Sequence, residues 1–207
     1  MADSARESGA GAATPVDGDE ALMLAYAAGD AGAFDRLYAR HRGPLYRYVL
    51  RQVRDAQAAE ELFQDVWMNA IRARASYAPT AKFTTWLYTL AHNRVVDHWR
   101  QRGSVVVESL DESGDDGESG TAAWVDALPA SRTDEPETRV SSRATGARIR
   151  AALDALPPAQ REAFVLHVES ELALADIARI TGEGVETIKS RVRYAYAKLR
   201  SALGDLG

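Results

Sequence analysis

Apolar residues recur along most of this chain at spacings of three and four, the period of an amphipathic helix. After an acidic start, Asp19 is placed to cap a short helix through Ala28, and Asp30 to cap a second with Phe34, Leu37 and Tyr38 on one face. Gly43-Pro44 predicts a kink or break before Leu45, Tyr48, Val49 and Val53 resume the stripe. Asp55 is placed to cap a third helix, in which Leu62, Phe63, Val66, Trp67, Ala70 and Ile71 fall at helical spacing. A fourth helix spans about 83–102, with Phe83, Trp86, Leu87, Leu90 and Ala91 inward. Sustained strand alternation with turn signals does not occur.

The pattern then fails over GSVVVESLDESGDDGESGTAAWVDALPASRTDEPETR, which is rich in Gly, Ser, Asp and Glu and reads as a linker. Its apolar islands, Val105–Val107 and Trp124–Leu128, exceed what a simple tether needs. Periodicity resumes near Thr145. Leu153 and Leu156 lead into Pro157-Pro158, and proline suits a helix's first turn. The next helix carries Ala163, Phe164, Leu166 and His167, and a short one covers Leu174–Ile180. A break at Thr181-Gly182-Glu183-Gly184 precedes a last helix from Val185. The prediction is an all-α protein of two small helical domains joined by an acidic flexible linker. Its parts are a disordered leader at 1–19, a first domain at 20–103, the linker at 104–146 and a second domain at 147–207.

The second domain holds a compact helix–turn–helix. Ile188, Val192, Ala195 and Leu199 form one apolar face of the last helix, and Ile177 and Ile180 supply its partner. Gly182 stands where the turn needs positive φ. The opposite face presents Thr187, Lys189, Ser190, Arg193, Tyr194 and Lys198. In such a motif the second helix enters the major groove, where Lys and Arg suit guanine O6 and N7.

Charge changes the picture more than composition does. The 207 residues are 46% hydrophobic and carry a formal net charge of −5, which argues against a nucleic-acid partner. The distribution reverses that reading: 1–20 sums to −4, 21–103 to +5, 104–143 to −7 and 144–207 to +1. The acid lies in leader and linker, and the first folded segment is basic. Arg47, Arg51, Arg54, Arg72, Arg74, Lys82 and Arg94 are candidates for phosphate contacts. Cysteine is absent, which excludes a disulfide scaffold or thiol sensor and fits a cytoplasmic location. An apolar run long enough to span a bilayer is also lacking. His41, His92, His98 and His167 form no metal-ligand pattern with acids, and neither a phosphate-cradling Gly loop nor a nucleophile motif occurs. Catalysis, a metal and a cofactor are not expected.

The stretch ALDALPPAQREAFVLHVESELALADIARITGEGVETIKSRVRYAYAKLRSAL resembles region 4 of the sigma-70 family of transcription initiation factors, in its small extracytoplasmic-function (ECF) group. The resemblance rests on the Leu-Pro-Pro lead with Gln160-Arg161-Glu162, the Asp176-Ile177-Ala178 step and Thr187-Ile188-Lys189-Ser190-Arg191. AAEELFQDVWMNAI and FTTWLYTLAHNRVVDHWR resemble region 2 of the same group. Two matches in the right order are more specific than a helix–turn–helix alone.

The resemblance implies that the chain binds core RNA polymerase and directs promoter-specific initiation. Glu61, Gln64, Asp65 and Met68 would meet the clamp helices of the β′ subunit, and region 4 the β flap. Tyr88, His92, Asn93, Val96 and Arg100 would take the −10 element as a melted strand, where bases are read unstacked. Thr187, Lys189, Ser190, Arg193 and Tyr194 would read the −35 element as duplex. Control by an anti-sigma protein and a stress or envelope regulon also follow from it, without membrane insertion of the chain itself. The linker would thread the polymerase's basic channels as a nucleic-acid mimic, its acids at 108–118 and Trp124 and Val125 included. One departure lies at Glu183-Gly184-Val185-Glu186, where the family often has Val-Pro. Glu186 would repel phosphate or accept from a cytosine amino group. The alternative is a polymerase-independent helix-turn-helix regulator, which explains the second domain but not the region 2 match.

Overall fold

A computed structural model describes residues 18–103 and 136–204, with side chains in the second segment from Thr145 onward. Leader residues 1–17 and the linker's acids at 108–118 and apolar islands, Trp124 among them, lie outside the described residues. Among the described residues the fold is all-helical. The first bundle comprises α1 (Asp19–Ala27), α2 (Ala31–Val53), α3 (Ala56–Arg72), a short 3-10 turn (Ala73–Ser76) and α4 (Phe83–Gln101). The second comprises α5 (Pro136–Asp154), α6 (Pro158–Val168), α7 (Leu174–Thr181) and α8 (Val185–Leu203). Helix α5 begins inside the stretch read as linker.

Local chemistry sets most helix ends. The Asp30 carboxylate accepts from Ala33 N at 3.2 Å and Asp55 from Ala58 N at 2.7 Å, so both residues cap as expected. Asp19 does not cap. Gly18 holds that position without a side-chain bond, and the Asp19 carboxylate is drawn instead to Arg40 and to His41 Nε2, the latter at 2.7 Å. Pro44 does not break its helix either: α2 runs unbroken through it. The lost amide bond is offset by burial on both sides of the proline, where Leu37, Leu45, Tyr48 and Val49 are all fully enclosed.

An aromatic cluster joins α2 to α3. Trp67 meets the edges of Phe34 and Tyr38 at ring separations of 5.7 and 5.0 Å, and Phe63 meets Tyr46 at 5.7 Å. Helix α4 is seated by α1. Lys82 at its N-cap offers no side-chain bond, and the Phe83 amide donates instead to Glu20 Oε1 at 2.7 Å, which also places a negative charge at the helix's positive end. In the second bundle Pro158 opens α6, and the buried Arg161 donates to the Leu156 carbonyl at 3.2 Å, satisfying the turn after α5. The bundles pack together along a seam, α4 against α7 and α2 against α6.

Candidate nucleic-acid interface

The helix–turn–helix forms as its sequence pattern predicts. Gly182 takes φ +73°, a left-handed conformation that L side chains avoid, and closes α7 with its amide on the Ala178 carbonyl. Ile177, Ile180, Ile188, Val192, Ala195 and Leu199 are all buried, so α7 and α8 are locked by the apolar pairs read from the sequence. Arg191 reaches back to Glu183 at 3.0 Å and pins the turn to α8. Its place in the motif is thereby explained by architecture.

The opposite face of α8 is open. Thr187, Lys189 and Arg193 are exposed, and Ser190 and Tyr194 are half-buried beside them. The Arg193 guanidinium lies over the Tyr194 ring at 5.2 Å, which orders a long side chain at the surface. Glu186 sits 3.6 Å from Lys189 with both side chains largely solvated, so part of its repulsion toward phosphate is cancelled locally. Gly184 provides no side-chain cap, and Val185 beside it is exposed.

On α3, Glu61, Gln64, Asp65 and Met68 are exposed, as the reading of an outward face requires. Met68 is one of three large apolar side chains left open to solvent among the described residues. Asp65 pairs with Arg94 of α4, and Gln57 donates to Glu61 at 3.3 Å. The face is therefore acidic around one apolar point, with Asp65 ion-paired and Glu61 hydrogen-bonded.

The α4 set divides. Asn93 and Arg100 are exposed and Val96 is half-buried. Tyr88, expected on the exposed side, is 3% exposed. Its ring packs against Tyr48 at 5.3 Å, edge to face, and α7 of the second bundle packs against α4. His92 is half-buried for the same reason: its Nδ1 donates to Glu162 Oε1 of α6 at 2.7 Å. The Tyr48 hydroxyl donates to that same oxygen at 2.6 Å. Burial opposes a charge on His92, yet the hydrogen bond and negative charge of Glu162 outweigh it and raise the imidazole's pKa. Burial likewise opposes the Glu162 carboxylate, but His92, the Tyr48 hydroxyl and Arg191 together hold its pKa below the ordinary value. Tyr48 is pushed well above the usual phenol range, by burial first and the adjacent carboxylate second. The triad is an ion pair with a neutral phenol donor.

Sequence reasoning missed this triad's role. Tyr48 reads as one more core residue on α2, and Glu162 as part of a motif; 114 residues separate them. Of the phosphate candidates, Arg51 lies 2.7 Å from Glu169, Arg54 is 3.9 Å from the Asp154 carboxylate and donates to the Asp154 carbonyl, and Lys82 is 3.7 Å from Asp176.

Comparison with known proteins identifies the family. Residues 37–105 match the family model for Sigma-70 region 2, and residues 146–199 that for Sigma-70, region 4. The chain is 31% identical to the ECF RNA polymerase sigma factor SigM of Mycobacterium tuberculosis, over 91% of this chain and 86% of that protein. It is 32% identical to the ECF sigma factor SigK of Mycolicibacterium vanbaalenii, over 89% of each. The fold matches the sigma factor RpoE of Bartonella quintana, solved in complex with the anti-sigma factor NepR. That match has a TM-score of 0.59 and 26% identity and covers 83% of this chain and 96% of the other. The chain belongs to the sigma-70 family, in its ECF group: it is a transcription initiation factor that binds core RNA polymerase and promoter DNA.

Proposed function

We propose that the chain's surfaces divide the work of initiation. Glu61, Gln64, Asp65 and Met68 dock α3 on the β′ clamp helices, where an acidic rim and an apolar anchor suit a basic partner surface. The exposed face of α8 reads the −35 element through Thr187, Lys189, Ser190, Arg193 and Tyr194, while the second bundle rests on the β flap. Asn93, Val96 and Arg100, with Tyr88 and His92 along the edge of the same α4 face, hold the melted −10 strand. The exposed polar and basic face of α8, opposite its buried stripe, is the observation that carries this reading.

Geometry adds a condition. Elements centred at −35 and −10 are about 25 base pairs apart, roughly 85 Å of B-form DNA at 3.4 Å per step. With α7 packed on α4, the two reading helices cannot span that distance, so the bundles separate before both elements are engaged. In the cell, on this reading, the protein works in the cytoplasm, is held by an anti-sigma protein as the Bartonella relative is, and leaves the chemistry to the polymerase. Run-off transcription with purified core enzyme is the test. Wild-type chain should start transcription at one site, and the Lys189→Ala/Arg193→Ala variant should lose most of it on a −35-dependent template, since a good bidentate base contact is worth about 1–3 kcal/mol. Specific, tight duplex binding by the free chain without any binding to core enzyme would favour the polymerase-independent regulator instead.

A further inference from the structure

The chain contains three methionines and no cysteine, so its sulfur chemistry is thioether chemistry alone. Met23 is locked inside the first bundle at 2% exposure, whereas Met68 is 45% exposed on α3. The other large apolar side chains left open, Leu24 and Val185, lie on α1 and at the start of α8, away from the docking face. One helical turn from Met68 stand Gln64 and Asp65 on one side and Ile71 and Arg72 on the other. Gln64, Asp65 and Arg72 are exposed, and Asp65 is held in place by Arg94 of α4. The Met68 sulfur is thus a single apolar point in an ordered polar rim, open to any small solute. A thioether there is the flexible, polarisable group that suits a docking contact, and it is also the group that an oxygen-atom donor attacks.

We propose that Met68 is a reversible oxidation site that controls docking on core RNA polymerase: peroxide converts its thioether to the sulfoxide, and the sulfoxide weakens the hold of α3. The inference rests on the docking role given to α3 above and adds its regulation. The step is a two-electron oxygen transfer. A lone pair on the Met68 sulfur attacks one oxygen of hydrogen peroxide, an S–O bond forms and the O–O bond breaks. The proton on the transferred oxygen passes to the departing hydroxide, which leaves as water. Sulfur is oxidised and peroxide is reduced. The S–O dipole then has to be stripped of water whenever α3 is covered, which costs free energy where the thioether contributed it. Return requires a methionine sulfoxide reductase with a dithiol as electron donor: the dithiol becomes a disulfide, and the oxygen leaves as water. The free chain is the species that reacts, since docking covers Met68. Met23 is shielded as long as the first bundle is folded.

The test treats the full-length chain with hydrogen peroxide, removes the oxidant and then adds untreated core enzyme. Peptide mass mapping should find one added oxygen on the Met68 peptide and none on the Met23 peptide. Affinity for core enzyme should fall about tenfold, within what the loss of one buried apolar side chain removes. Methionine sulfoxide reductase with dithiothreitol should restore it. The thermal midpoint of the treated chain should match that of the untreated chain, which assigns the fall to the surface rather than the core. Each chain is compared with itself before and after treatment, and Met68→Leu, which has no sulfur to oxidise there, should show no fall. Oxidation of Met23 in place of Met68, full oxidation of Met68 with undiminished core binding, or an equal fall in treated Met68→Leu overturns the proposal. Met68→Gln/Asp65→Lys, measured without oxidant, separates this failure from that of the docking role. If that variant binds core enzyme poorly while the oxidised wild-type chain binds well, only the oxidation control is lost. If it binds as the wild type does, the docking role of α3 is lost and the proposal with it.

Discussion

Helices α4 and α8 have the same length and are both proposed to meet DNA, but the fold presents them differently. The buried stripe of α8 is satisfied within its own bundle by α6 and α7, and the face proposed to read duplex stays open. Part of what is buried on α4 is buried by the other bundle: Tyr88 and His92 face α6 and α7, not solvent. A duplex-reading helix can remain exposed at little cost, because its face is polar and largely hydrated. A strand-holding helix needs an aromatic ring and cations, and these find partners within the chain when no strand is present. The contrast predicts that damage to α8 acts through folding and damage to the edge of α4 acts through closure.

The strongest test of that contrast pairs Ile188→Ala with Tyr88→Ala. Ile188 is fully enclosed within one bundle. Its truncation should cost about 3 kcal/mol, seen as a lower denaturant midpoint for the second bundle with no compensating gain elsewhere. Tyr88 is nearly as buried, but the open form returns it to water. Its truncation should therefore destabilise the closed form, in which the bundles are packed together, more than the isolated folding of either bundle, read as lost energy transfer between dyes at Ala75→Cys and Ala197→Cys, exposed positions one in each bundle, with a smaller shift in midpoint. Equal midpoint losses, with transfer unchanged, would erase the distinction between the two helices.

The same contrast explains what the sequence disclosed. Everything in α8 and its turn was legible: the apolar spacing, the Gly182 turn and the open polar face are local properties, fixed within about thirty residues. The caps at Asp30 and Asp55 were legible for the same reason. Asp19 was not, because its partners Arg40 and His41 lie a helix away and outbid the local amide. The break allowed for at Pro44 does not form, because the apolar stripe on both sides holds α2 in one piece. Tyr88 could not have been placed by periodicity, since its burial depends on where the second bundle docks. The phosphate candidates were found as residue types, but that Arg51, Arg54 and Lys82 have carboxylates opposite them is a property of the closed form alone.

A smaller effect tests the turn that makes α8 legible. A Cβ built at Gly182 meets nothing within 4 Å, so Gly182→Ala pays only for its left-handed backbone, φ +73°. That cost is about 1 kcal/mol, and thermal unfolding should show a modest drop with −35 binding retained by the folded fraction. A loss several times larger would mean that the turn makes contacts beyond its backbone angle.

The smallest effect concerns pH, and it acts on α4 only. The closed form raises the His92 pKa above 6.5, so this contribution is complete below about pH 6.5 and is lost as pH rises through the raised value. The closed form lowers the Glu162 pKa below 4.5, so that contribution is complete above about pH 4.5 and is lost as pH falls through the lowered value. Closure should be strongest between those limits and should weaken above pH 6.5. The phenols facing the pair do not titrate there: Tyr48 is pushed well above the usual phenol range, and Tyr88 is raised by burial. Energy transfer in the labelled chain should therefore decline from pH 6.5 to 8, and His92→Gln, which keeps a donor but cannot ionise, should flatten the profile. A decline of equal slope in His92→Gln would assign the pH response to some other group. In α8 the same scan should leave duplex binding nearly level, because its reading face carries no histidine.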